Sequence, residues 1–210
     1  MKKPGKKASS MLNRNRRVWI LLYLSLILCI LMTTSCWSDL DDVEDKLNSS
    51  GYSIGDPGPS GVGVVFYISD DGKHGLEAAP EDQNNGNAFY WSNVDGVNDE
   101  VGTSRDIGSG FANSEAVINQ DGHNNSAALI CRNYRKDEEG DWYLPSYGEL
   151  EELYKNKDIV GNLTKEEYYS SSEDHVGGYV GYITFTGQYS GSGYFCSKGS
   201  SHYIRAIRSF

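Results

Sequence analysis

Four cysteines, four histidines and 29 acidic side chains bound the chemistry open to this chain of 210 residues. His74, His123, His175 and His202 stand among Gly, Ser, Asp and Asn with no spacing that would present two ligands to one metal, so a zinc site is not expected. Asp95-Gly96-Val97-Asn98-Asp99-Glu100 and Asp137-Glu138-Glu139-Gly140-Asp141 carry enough oxygen ligands for calcium but lack the EF-hand pattern, and solvated acidic turns are the competing reading. Gly51-Tyr52-Ser53-Ile54-Gly55 spells the serine nucleophile elbow, yet no strand pattern precedes it and no helix pattern follows. Gly61 and Gly63 fall short of a dinucleotide loop because Phe66 replaces the third glycine. Neither Cys131 nor Cys196 has a histidine or asparagine in a recognisable catalytic context, and carboxylates are too abundant for any two to stand out as a glycosidase pair.

The residues suited to binding are different. Trp91 lies in a long polar stretch from Gln83 to Gly110, where an aromatic ring could stack on the C–H face of a sugar; the alternative is that it joins the core. Arg205 becomes a polar contact if its face of the final strand is exposed. Trp142 and Pro145 read as core and turn determinants, and Glu149 as a helix cap.

Charge narrows the partners. All acidic residues follow position 35 and seven of the 19 basic ones precede it, which leaves residues 36–210 with a net charge of −17. Such a body repels nucleic acid, sulfated glycans and anionic lipid head groups. It is not a solvating acidic polymer either, since 23 aromatic residues follow the leader and supply apolar area for a single core.

Residues 1–35 have the layout of a secretory signal: a basic start, the apolar run Val18–Met32, and small residues before Cys36. Fifteen helical residues span about 22 Å, short of the roughly 30 Å hydrocarbon core. Thr33-Thr34-Ser35-Cys36 resembles the lipobox of bacterial lipoproteins, which implies cleavage before Cys36 and its diacylation. The expected location is the bacterial outer membrane, with the domain held by a lipid anchor. Trp37-Ser38-Asp39-Leu40-Asp41-Asp42 resembles the acidic tract of surface-exported lipoproteins of Bacteroidetes-type bacteria and implies that the domain faces the cell exterior; the competing reading is a solvated tether over residues 36–51. With Cys36 lipidated, Cys131 and Cys196 are the remaining thiols. An even pair in an exported protein favours a disulfide, contributing about 4 kcal/mol in the chain-entropy model, with two separate buried thiols as the alternative.

The elements that would position these groups follow from periodicity. Val62–Ile68 and Gly75–Ala79 read as a hairpin closed at Asp70-Asp71-Gly72. Helices are expected over Ser114–Ile118, over Ser126–Tyr134, and from Ser146, where Ser146 and Glu149 form a capping box and Leu150, Leu153 and Tyr154 share a face. Strands are expected at Tyr179–Phe185, Tyr194–Cys196 and Tyr203–Arg208, the last with Tyr203, Arg205 and Ile207 on one side.

Five segments in fixed order carry a resemblance. They are Ile54-Gly55-Asp56-Pro57-Gly58-Pro59-Ser60-Gly61-Val62-Gly63-Val64-Val65-Phe66-Tyr67, then His74–Gln83, Asp141-Trp142-Tyr143-Leu144-Pro145-Ser146 with Glu149-Leu150, Tyr169-Ser170-Ser171-Ser172-Glu173, and Arg205-Ala206-Ile207-Arg208-Ser209-Phe210. Together they resemble the Lcl C-terminal domain family of bacterial surface proteins over residues 52–210. The resemblance implies a single α+β domain of C-type-lectin-like or formylglycine-generating-enzyme-like fold, with antiparallel strands and a few helices. Some members of that family act as adhesins for sulfated glycans, a ligand that the charge of −17 disfavours here. Two function classes follow: a non-catalytic recognition or adhesion module for a neutral glycan or a protein, and an enzyme acting on envelope or extracellular polymers. The lack of a coherent catalytic set favours the first.

Overall fold

Why a polar, glycine-rich chain closes around a core is best seen from its last ten residues, which hydrogen-bond to every sheet. The computed structural model describes residues 51–94, 100–135, 141–173 and 178–210. The chain divides into the units Met1–Ser49 and Ser50–Phe210, and the second is the one described. The segment expected to be a secretory signal, Cys36, and residues 95–99 and 137–140 of the two acidic runs lie outside the described residues.

The unit is α+β with antiparallel sheets. Strands β1 (Val64–Ile68) and β2 (Gly75–Ala78) form the expected hairpin, and β3 is the short Phe89–Tyr90. Helices α1 (Gly110–Ile118), α2 (Ala127–Asn133), α3 (Tyr147–Lys155) and α4 (Lys157–Val160) follow. Then come β4 (Glu167–Glu173), β5 (Tyr179–Thr184), β6 (Gly193–Ser197), β7 (Ser201–His202) and β8 (Ile207–Ser209). Their orders are β1-β2-β8, β3-β7 and β4-β5-β6.

Local chemistry accounts for the starts of α2 and α3. The Ser126 hydroxyl accepts from Leu129 N at the head of α2. At α3 the capping box is complete: Ser146 Oγ accepts from Glu149 N, and Ser146 N donates to Glu149 Oε2 at 2.7 Å. The other Glu149 oxygen accepts from Gly108 N at 2.9 Å, so this cap also holds the loop before α1. Burial outweighs these hydrogen bonds and raises the Glu149 carboxyl above its ordinary range.

Residues 201–210 do not form the single alternating strand expected from Tyr203 to Arg208. Ile204, Arg205, Ala206 and Ile207 are all buried, because the segment passes between elements that cover both of its sides. Tyr203 N donates to Glu167 O, Gln83 N to Ile204 O, and Ala79 N to Ala206 O, while Ile207 exchanges both backbone bonds with Tyr143. Phe210 exchanges both with Gly75.

Strand β4 has no alternating pattern in the sequence, and its three serines are fully buried. Each hydroxyl donates to a backbone carbonyl: Ser170 to Gly181, Ser171 to Pro145 and Ser172 to Ser104. The core then falls into two clusters. One gathers Phe66, Tyr143, Leu150, Leu153, Tyr168, Phe185 and Ile207, and the other Trp91, Val117, Cys131, Trp142, Leu144, Tyr169 and Ile204.

The Gly/Pro segment near the start of the domain is tied into the fold. Gly55 N donates to Val65 O, Val65 N to Asp56 O, and Pro57 bridges Val64. Beneath it lies the fully buried Glu77 of β2, held by the Ser60 hydroxyl at 2.6 Å and by Arg208 Nη1 at 3.0 Å. Gly58 and Gly63 line this carboxylate so closely that a Cβ on either would overlap it.

Candidate functional site

A cavity of about 640 Å³ opens between the segment Pro80–Gly86, the C-terminal end of α2 and Asn162. Its framework is a buried ion pair. Arg205 donates through Nε and Nη2 to Asp82 Oδ1 at 2.9 and 2.6 Å, through Nη1 to Ala79 O, and through Nη2 to Asn162 O. The other Asp82 oxygen accepts from Tyr168 OH at 3.0 Å. One guanidinium therefore fixes two rims of the cavity, as a planar five-donor group can and an ammonium cannot.

The turn at the bottom of the rim is made from amides. Asn84, Asn85 and Gly86 have φ of 56, 53 and 72°, left-handed values that Asn tolerates and Gly adopts freely. The Asn84 and Asn87 side chains each donate to the other's backbone carbonyl, closing the turn. Gln83 faces inward, its amide oxygen accepting from Ala206 N and its nitrogen donating to Glu81 O.

Four further residues line the cavity: Glu81, Asn85, Asn133 and Tyr134. The Glu81 carboxylate, the two amides and the Tyr134 hydroxyl make no hydrogen bond to another described residue. Tyr134 is half-buried, its ring packed at 85° against Trp142 with centroids 5.2 Å apart. Burial, followed by the charge of Glu81, raises its hydroxyl above the ordinary tyrosine range, so it stays a neutral donor and acceptor. One aromatic ring, two amides, a hydroxyl and a carboxylate form a set that can meet an uncharged polyhydroxylated ligand and presents no cation to an anionic one.

The residues expected from sequence fall elsewhere. Trp91 is 0% exposed and its Nε1 donates to Ser170 O at 2.9 Å, so it is a core residue and not a stacking platform. Backbone bonds from Trp91 N to Lys198 O and from Ala127 N to Trp91 O hold it in the core cluster with Trp142, Tyr169 and Ile204. Arg205 is 1% exposed and spends its donors on the frame of the cavity, which corrects its reading as a ligand contact. Cys131 and Cys196 are free thiols and the expected disulfide is absent. Cys131 is sealed among the Trp91 and Trp142 cluster, whereas the Cys196 sulfur lies against His202 Nε2 and Val180 O. Among the described residues no three His, Cys, Asp or Glu side chains are grouped to hold a metal. The cavity residues Tyr134, Asn133, Asn85 and Asn162 escaped the sequence reading, although Asn84-Asn85-Gly86 is a turn signal inside the long polar stretch.

Neither a comparison of the chain with protein-family models nor one with curated proteins finds a match.

Proposed function

We propose that this domain is a non-catalytic recognition module for a neutral glycan, held at the bacterial outer membrane through a lipid on Cys36 and facing the cell exterior, and that it belongs with the Lcl C-terminal domains and their lectin-like fold. The observation that carries this reading is the cavity beside Tyr134, lined by an aromatic residue together with amide- and carboxylate-bearing residues. A neutral ligand suits it because Glu81 and the body charge of −17 oppose polyanions. The leader, the small residues before Cys36 and the acidic tract after it support the address.

A glycan array probed with and without calcium, followed by titration of the best neutral hit, tests the proposal. Tyr134→Ala should weaken that hit about 10- to 100-fold, the usual cost of truncating an anchoring aromatic, with circular dichroism unchanged. Tight heparin binding that falls steeply with salt, or full affinity in folded Tyr134→Ala and Asn133→Ala variants, would overturn it.

A further inference from the structure

A second group of side chains, independent of that cavity, has the geometry of a thiol and its base. The turn between β6 and β7, closed by Ser200 N donating to Ser197 O, brings His202 Nε2 to 3.2 Å from Cys196 Sγ. From β4, Glu167 Oε2 lies 2.8 Å from the other ring nitrogen, Nδ1. A carboxylate only accepts, so Nδ1 carries the proton and Nε2 turns its lone pair to the thiol.

The ring is fixed from both sides by the register of the sheet. Tyr169, Tyr182 and Tyr194 stand opposite one another across β4, β5 and β6. Tyr182 stacks on the imidazole at 4.5 Å and 18°, and Tyr169 meets it edge-on at 4.7 Å and 86°. Cys196 is half-buried on an edge strand whose Tyr194 and Phe195 are exposed, so a small reactant can approach.

We propose that Cys196 is a base-assisted nucleophilic thiol that takes up low-molecular-weight disulfides as mixed disulfides, with His202 accepting the thiol proton and Glu167 positioning His202. As Sγ attacks one sulfur of R–S–S–R, its proton passes to Nε2, a new Sγ–S bond forms and the reactant's S–S bond breaks. The leaving thiolate recovers the proton from Nε2 as R–SH. Cys196 is oxidised and one R–S group is reduced, so electrons balance within the pair.

Disulfide exchange needs only the thiol, its base and a leaving sulfur, and the thiol and base are what this geometry supplies, the Tyr169 hydroxyl being spent on the Ser200 carbonyl. Burial pushes the thiol up to about 11, with the neighbouring Tyr169 and Ser200 opposing, and burial holds His202 below its ordinary value, with Glu167 opposing. The resting pair is therefore neutral, and its reactivity depends on proton transfer during attack. Cys131, fully buried with its thiol raised by burial, serves as an internal control.

The test treats the reduced full-length protein with 5,5′-dithiobis(2-nitrobenzoate), follows the released chromophore, and locates the label by non-reducing peptide mapping. Cys196 should react at least about tenfold faster than Cys131 at pH 7, and His202→Gln should slow Cys196 by about tenfold or more, as loss of a general base does. Glu167→Gln should slow it less. The wild-type rate should fall with protonation of His202 on acidification, and the gap to His202→Gln should close at alkaline pH as hydroxide ionises the thiol. No label at Cys196, a rate unchanged in folded His202→Gln, or a wild-type pH profile that follows a simple thiol ionisation would each overturn the proposal; the last needs no variant to fold.

Discussion

The Arg205 guanidinium meets the Asp82 carboxylate at 2.6 Å with side-chain exposures of 0 and 8%, and the same guanidinium reaches the Asn162 carbonyl 43 residues away in sequence. This pair joins the C-terminal segment to both rims of the Tyr134 cavity. A salt bridge so buried is poor evidence of net stabilisation, but removing one partner strands the other without water.

Arg205→Ala should therefore destabilise the domain by about 3–5 kcal/mol. Arg205→Lys should recover only part of that loss, since an ammonium cannot reach Asp82, Ala79 O and Asn162 O together. Urea denaturation of the three proteins measures both. Equal stability of Arg205→Lys and wild type would contradict the multidentate role.

Trp91→Ala should cost about 3–5 kcal/mol, as for other large buried aromatics, and leave the affinity of the folded fraction unaltered. Calorimetric unfolding and ligand titration separate the two effects. A ligand-specific loss in a stable Trp91→Ala variant would restore Trp91 as a contact.

Gly58→Ala and Gly63→Ala should each destabilise by about 1–3 kcal/mol, because the added methyl displaces the Glu77 carboxylate from Ser60 and Arg208. Chemical denaturation midpoints check this. A neutral result at both positions would mean that the buried carboxylate can shift freely.

His202 should make stability fall on acidification. Burial lowers its folded pKa below the ordinary 6.5, with Glu167 acting the other way, so between those values the unfolded chain binds the proton and the folded one does not. Its contribution is fully present above pH 6.5 and is lost as pH drops toward the folded pKa. The groups facing it are Glu167, Cys196, Tyr169 and Tyr182. Urea midpoints from pH 8 to 5 should decline more steeply for wild type than for His202→Gln. Parallel profiles would show that His202 titrates alike in both states.

Patterns local in sequence translated well into structure. The Asp70-Asp71-Gly72 turn closes the β1–β2 hairpin, and Ser146 with Glu149 caps α3, because each depends on atoms within a few residues. The α+β class with antiparallel strands, which the resemblance of the five segments implied, is what the structure has. Strand β4 did not, since Tyr169-Ser170-Ser171-Ser172 is polar by composition and is buried only because carbonyls from other elements accept its hydroxyls.

The sequence alone determined the charge split, the basic and apolar leader before Cys36, the hairpin, and the capping box of α3. Each is a property of composition or of near neighbours along the chain. Tertiary structure alone decided that Trp91 and Arg205 are internal and that Tyr134 borders the cavity. It alone decided that Cys196 meets His202, itself held by Glu167, and not Cys131. The physical reason is that burial and hydrogen-bond pairing depend on which distant segments meet. Residues 201–210 bring the sheets together by backbone bonds whose partners lie up to 135 residues away, and a backbone amide or carbonyl is the same group at every non-proline position.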